Sequence, residues 1–100
     1  MIVGVGSFEV DPSEREKFLE SYVETMRISR GEEGCTEYTF AADPLEPGRV
    51  VLVEKWENQE TLDAHLAALR ERNAGSPGSG VVPTSASLIL YETASETKAI

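Results

Sequence analysis

CTEYTFAADPLEPGRVVLVEKW, residues 35–56, holds two strand-forming runs around one turn. Threonine and aromatic side chains fill the run from Cys35 to Ala41, which suits a strand. Asp43-Pro44-Leu45-Glu46-Pro47-Gly48 is dense in turn formers. The run from Arg49 to Trp56 is a second strand, and the short connection makes the two a hairpin. That second strand does not alternate apolar with polar. Val50, Val51, Leu52 and Val53 put apolar groups on both faces, whereas a sheet with one wet face alternates.

Upstream, Ile2 to Val10 carries β-branched and aromatic residues and reads as a strand. Asp11 can cap a helix, Pro12 suits its first position and Glu14 falls where a capping-box partner belongs. Phe18, Tyr22 and Met26 recur at i, i+4 and i+8, with Leu19 and Val23 beside them. This spacing predicts one helix, ending at Arg30-Gly31. Downstream, Asn58 can cap a second helix, with Thr61 three residues on. Leu62, Leu66, Leu69 and Asn73 form its stripe, and His65 lies at the edge of that stripe. NAGSPGSGVVPTS, residues 73–85, is a Gly/Ser/Pro loop. Ser87 to Tyr91 is the last strand, and residues 94–100 form a polar tail to a domain spanning 1–93.

The order β-α-β-β-α-β predicts an α+β, ferredoxin-like fold: a four-stranded antiparallel sheet with both helices on one face. Two helices cover only one face. Leu88, Ile89 and Leu90 repeat the two-faced pattern of residues 50–53. A second copy packed sheet to sheet is the simplest cover, so a homodimer is expected.

A chain of 100 residues makes one domain. Its net charge of -9 argues against a nucleic-acid partner, which would need clustered Lys and Arg. Cys35 is the only cysteine, so no disulfide forms within the chain, and one His without nearby Cys weighs against a metal. No apolar run approaches the roughly 20 residues that span a bilayer. MIVGVGSF has no basic leader region, so a cytoplasmic setting is expected.

Glu33-Gly34-Cys35, then Tyr38, then Val53-Glu54-Lys55-Trp56-Glu57, then Leu62-Asp63-Ala64-His65-Leu66 resembles the antibiotic-biosynthesis-monooxygenase family in order and spacing. The resemblance covers about Ile2 to Leu69, and Tyr91 also fits. It implies a dimeric α+β barrel of two ferredoxin-like subunits. It also implies oxidation of electron-rich aromatics such as anthrones, naphthols or quinols with dioxygen, often without metal or flavin. Many members have no assigned activity. A haem-degrading branch uses an Asn on the first strand; this chain has Ser7 at about that point, so haem is not expected. Many oxygenase members carry a second His or an aromatic-rich segment after the Ala-His helix, where this chain has Arg70-Glu71-Arg72.

His65 is the natural general base, because only His titrates near neutrality unperturbed. Its structural alternative is a helix-edge His bonded to a carboxylate. Trp56, Glu54 and Leu52 share one side of their strand. Trp56 can wall a pocket or stack on a planar substrate, or simply be core. Glu54 among apolar neighbours needs a partner. It could be a second acid/base group, but pairing with an Arg from the first helix or the hairpin is favoured. Tyr38 offers a phenol for a substrate oxyanion, or is a half-buried strand residue. Phe40, Leu52 and Leu66 would keep the pocket apolar, and Ser7 on the first strand completes the candidate substrate contacts. Cys35 reads as a buried strand residue, not a nucleophile.

These residues point to a cofactor-independent monooxygenase acting on an electron-rich aromatic and dioxygen. Two other readings use the same barrel: a non-catalytic small-molecule-binding or stress-response dimer, and a non-oxidative polyketide cyclase or isomerase.

Overall fold

The computed structural model describes residues 1–73 and 80–100. Its elements are β1 (Ile2–Glu9), a single 3-10 turn (Pro12–Glu14), α1 (Arg15–Ser21), α2 (Val23–Arg30), β2 (Cys35–Ala42), β3 (Arg49–Trp56), α3 (Gln59–Asn73) and β4 (Ser85–Glu92). The strands form one antiparallel sheet in the order β2-β3-β1-β4. This is the expected ferredoxin-like α+β fold. The loop expected over 73–85 includes residues 74–79, which lie outside the described residues.

The caps behave as their chemistry requires. Asp11 Oδ1 accepts from the Ser13 backbone N–H at 2.9 Å. Asn58 and Thr61 cap α3 reciprocally: Asn58 Oδ1 accepts from Thr61 N at 3.0 Å, and Asn58 N donates to Thr61 Oγ1 at 3.3 Å. In the β2–β3 turn, Asp43 Oδ1 accepts from Leu45 N at 2.8 Å. The Arg15 guanidinium donates to the carbonyls of Asp43 and Glu46, which ties α1 to the hairpin.

The first helix differs from expectation. It is broken at Tyr22, whose φ of -100° and ψ of 0° interrupt the helical path between α1 and α2. Two contacts account for the break. Ser21 Oγ donates back to the Phe18 carbonyl at 2.6 Å, a bond that competes with the helix ladder. The Tyr22 ring stacks on Phe40 of β2, with centroids 4.2 Å apart. The stack pulls Tyr22 onto the sheet, and the backbone kinks to let it reach.

Cross-strand pairing places Ile2, Gly4, Gly6 and Phe8 on the same sheet face as Trp56, Glu54, Leu52 and Val50. Tyr38 and Phe40 share that face, opposite Glu54 and Leu52. The buried core lies there, with Phe18 from α1 and Leu62 from α3 packed onto it. The other face carries Val3, Val5, Val51, Val53, Ile89 and Tyr91. Val5 is 46% exposed and Ile89 51%. Every residue of β4 is exposed. The two-faced apolar pattern of the sequence is thus real, and one face of the sheet is uncovered in the single chain.

Candidate functional site

α3 begins at the Asn58 cap and turns Leu62 and His65, one helical turn apart, onto the sheet. His65 was expected at the edge of the apolar stripe. It lies within the buried one, only 2% exposed. Its ring packs 4.4 Å from the Trp56 ring, centroid to centroid, and 5.2 Å from that of Tyr38. Tyr38 and Trp56 meet edge-on at 6.4 Å. The three side chains singled out in the sequence therefore converge, and each is almost wholly buried.

A carboxylate lies at each end of this cluster. Glu54 is 2% exposed, and its Oε1 accepts from the Trp56 indole N–H at 2.9 Å. An Arg was expected as its partner; among the described residues none of the ion pairs includes Glu54. The arginines of the expected first helix and the hairpin are engaged elsewhere: Arg15 on the hairpin carbonyls, Arg27 on Glu24, Arg30 on the Tyr38 carbonyl and Arg49 on Asp43. Room for the buried carboxylate comes from β1, because a Cβ at Gly4 would stand 2.6 Å from Glu54 Cγ. At the other end, Glu32 Oε1 lies 2.6 Å from His65 Nδ1. Its Oε2 is 3.9 Å from Arg72 Nη1. Arg72 is two turns beyond His65 on α3, hence on the same side of the helix.

The turn between α2 and β2 holds Glu32 in place. Gly34 has φ of +80°, a conformation that favours glycine. A Cβ there would also meet Thr61 at 2.5 Å. The Gly34 carbonyl accepts from Glu57 N at 2.8 Å. The turn is thereby pressed against the end of β3 and the first turn of α3. Glu32 was absent from the sequence-level candidates, although it adjoins the Glu-Gly-Cys motif. Its contact spans 33 positions, and no local pattern signals it.

Burial, reinforced by the nearby Glu54 carboxylate, pushes the Tyr38 phenol well above its ordinary value. Tyr38 therefore remains a proton-bearing donor at neutral pH. Burial also raises the Cys35 thiol, which opposes nucleophilic use of that residue.

The space beside the cluster differs from the expected apolar pocket. A cavity of about 530 Å³ reaches His65, with Glu32, Glu33, Glu57, Glu60 and Thr61 around it. Leu52 is core, Leu66 packs half-buried against that core, and neither lines this cavity; nor do Trp56, Glu54 and Phe40. Tyr38 borders a separate cleft of about 330 Å³ with Arg30, Cys35 and Glu37. Phe40 borders another of about 500 Å³ with Met26 and Arg30. Ser7 stands apart from all of these. It pairs across from Val51 on the opposite sheet face and accepts from Arg49 Nε at 3.0 Å. Among the described residues, no group of three or more His, Cys, Asp or Glu could hold a metal ion. No helix among them is long and apolar enough to cross a membrane.

The model of a family described as "Antibiotic biosynthesis monooxygenase" matches residues 1–71. An uncharacterised protein of Synechocystis, sll1783, is 34% identical over 65 residues, 65% of this chain and 44% of that protein. The chain thus spans less than half the length of that relative. A candidate monooxygenase of Bacillus subtilis, YcnE, is 32% identical over 65 residues, 65% of this chain and 68% of that protein. The crystal structure of a candidate antibiotic biosynthesis monooxygenase from Deinococcus radiodurans superposes with a TM-score of 0.78 at 21% identity. It covers 100% of this chain and 99% of that one, a likeness of fold.

Proposed function

The chain belongs to the antibiotic biosynthesis monooxygenase family, and from that premise we propose that it oxidises an electron-rich aromatic, an anthrone, quinol or polyketide-like phenol, with dioxygen and no bound cofactor. His65 removes the acidic proton of the substrate. The electron-rich anion then gives an electron to dioxygen directly, and the radical pair recombines. With an anthrone, the activated CH₂ becomes a carbonyl and the second oxygen atom leaves as water. The substrate supplies all four electrons, so the balance needs no external reductant.

The observation that carries this reading is the convergence of His65, Tyr38 and Trp56 into one buried cluster. The imidazole and the phenol ring are in contact, so a base and a proton-bearing donor belong to one cluster, although Tyr38 opens to a cleft separate from the cavity that reaches His65. The raised pKa of Tyr38 keeps its donor proton in place. Substrate enters by the cavity that reaches His65. Trp56 backs the imidazole and, with the core behind it, keeps that side dry.

The same reading takes the protein as a homodimer joined through the uncovered sheet face. Its support is the apolar surface of Val5, Val53 and Ile89, direct neighbours across three strands. The activity is tested by dioxygen consumption with dithranol (1,8-dihydroxyanthrone) or a naphthoquinol. Product formation under strict exclusion of dioxygen would point instead to cyclase or isomerase chemistry.

A further inference from the structure

We infer that Glu32 is a positioning residue that sets the tautomer of His65: it takes the Nδ1 proton in a hydrogen bond and leaves Nε2 as the basic nitrogen. This rests on the proposed role of His65 as base.

The contact is specific in atom and geometry. Glu32 Oε1 lies 2.6 Å from Nδ1, shorter than the usual N–H···O hydrogen bond, the direction in which an ionised acceptor moves it. A carboxylate can only accept, so the neutral imidazole must carry its proton on Nδ1. The two ring nitrogens diverge, so Nε2 points away from Glu32. The ring cannot swing round to reverse them, because it is 2% exposed and packed 4.4 Å from Trp56 and 5.2 Å from Tyr38. Glu32 is itself constrained. Gly34 fixes its turn against Thr61, and Arg72 stands 3.9 Å from its second oxygen. The neutral histidine side chain in water prefers the opposite tautomer, with the proton on Nε2. Without Glu32 the lone pair of His65 would fall on Nδ1, facing the turn.

His65 is the only histidine of the chain, so ¹⁵N NMR reads its tautomer without assignment ambiguity. Spectra are taken at about pH 9, well above the ordinary histidine value of about 6.5, on wild type, Glu32→Gln and Glu32→Ala. Dithranol oxidation is measured on the same samples. The amide oxygen of Gln can still accept from Nδ1–H, so Glu32→Gln keeps the wild-type tautomer and a rate within a few fold. Glu32→Ala shifts the ring to the Nε2–H form and loses on the order of 10²- to 10⁴-fold in rate, the scale of a misplaced general base. A purely structural carboxylate would lower thermal stability in both variants and leave the tautomer alone.

An Nε2–H signal in the wild type overturns the inference, and this holds even if Glu32→Ala fails to fold. So does a wild-type tautomer or a wild-type rate in Glu32→Ala. If no aromatic is oxidised but the tautomer responds as described, the monooxygenase reading fails and the setting of the tautomer by Glu32 stands. If oxidation depends on His65 yet is indifferent to Glu32→Ala, the reverse holds.

Discussion

Trp56 and Glu54 are bonded to each other on one strand face: the indole N–H donates to the carboxylate at 2.9 Å, and both side chains are buried. A buried carboxylate without a donor costs more than the bond itself gains. Trp56→Phe therefore destabilises the fold by about 1–3 kcal/mol beyond any packing loss. For a chain of this size that lowers Tm by roughly 4–8 °C per kcal/mol. Adding Glu54→Leu recovers part of the loss in thermal melts, since it removes the stranded carboxylate. A double variant no more stable than Trp56→Phe would refute the pairing.

Gly34→Ala tests the turn that carries Glu32. The residue sits at φ +80°, and its added methyl would stand 2.5 Å from Thr61. The strain predicts a loss of about 1–3 kcal/mol, read by urea denaturation. The displaced turn should also slow substrate oxidation, because it draws Glu32 away from His65. Unchanged stability would mean that the turn is not held as described.

Ser29 on α2 is fully buried, and its hydroxyl has no hydrogen-bond partner among the described residues. Removing such a group is close to free. Ser29→Ala is predicted to leave stability within about 0.5 kcal/mol of wild type or to raise it by up to about 1 kcal/mol. A clear loss in chemical denaturation would show that the hydroxyl is satisfied after all.

Size-exclusion chromatography with multi-angle scattering, at micromolar concentration, checks the proposed dimer. Wild type should run at twice the 10.9 kDa chain mass. Val5→Lys places a charge in the centre of the uncovered face, beside Val53 and Ile89. It should give monomer without unfolding, because Val5 is already 46% exposed in the single chain. A wild-type monomer would contradict this assembly.

The hairpin, the caps and the two-faced strands were legible because each is a local signal: a turn cluster, a residue three positions from its partner, a run without alternation. So were His65, Tyr38 and Trp56, which the family resemblance marked before the structure brought them together. Ser7 was legible too, in principle. On β1 it alternates with Gly6 and Phe8, and that parity puts it on the face away from Trp56. What local reading could not supply came from contacts distant in sequence. The kink at Tyr22 follows from a ring stack with Phe40 on another element. The depth of His65 and its contact with Glu32 come from a turn pressed onto a helix 33 positions later. The partner of Glu54 lay only two residues away. It was missed because a carboxylate suggests an Arg before it suggests an indole.

The most direct test is dioxygen uptake with dithranol by wild type and His65→Gln, compared at equal folded protein by thermal melt. The account predicts uptake by wild type with one water and one carbonyl product per dioxygen, and a fall on the order of 10²- to 10⁴-fold in His65→Gln. Uptake at the wild-type rate in a folded His65→Gln would contradict it.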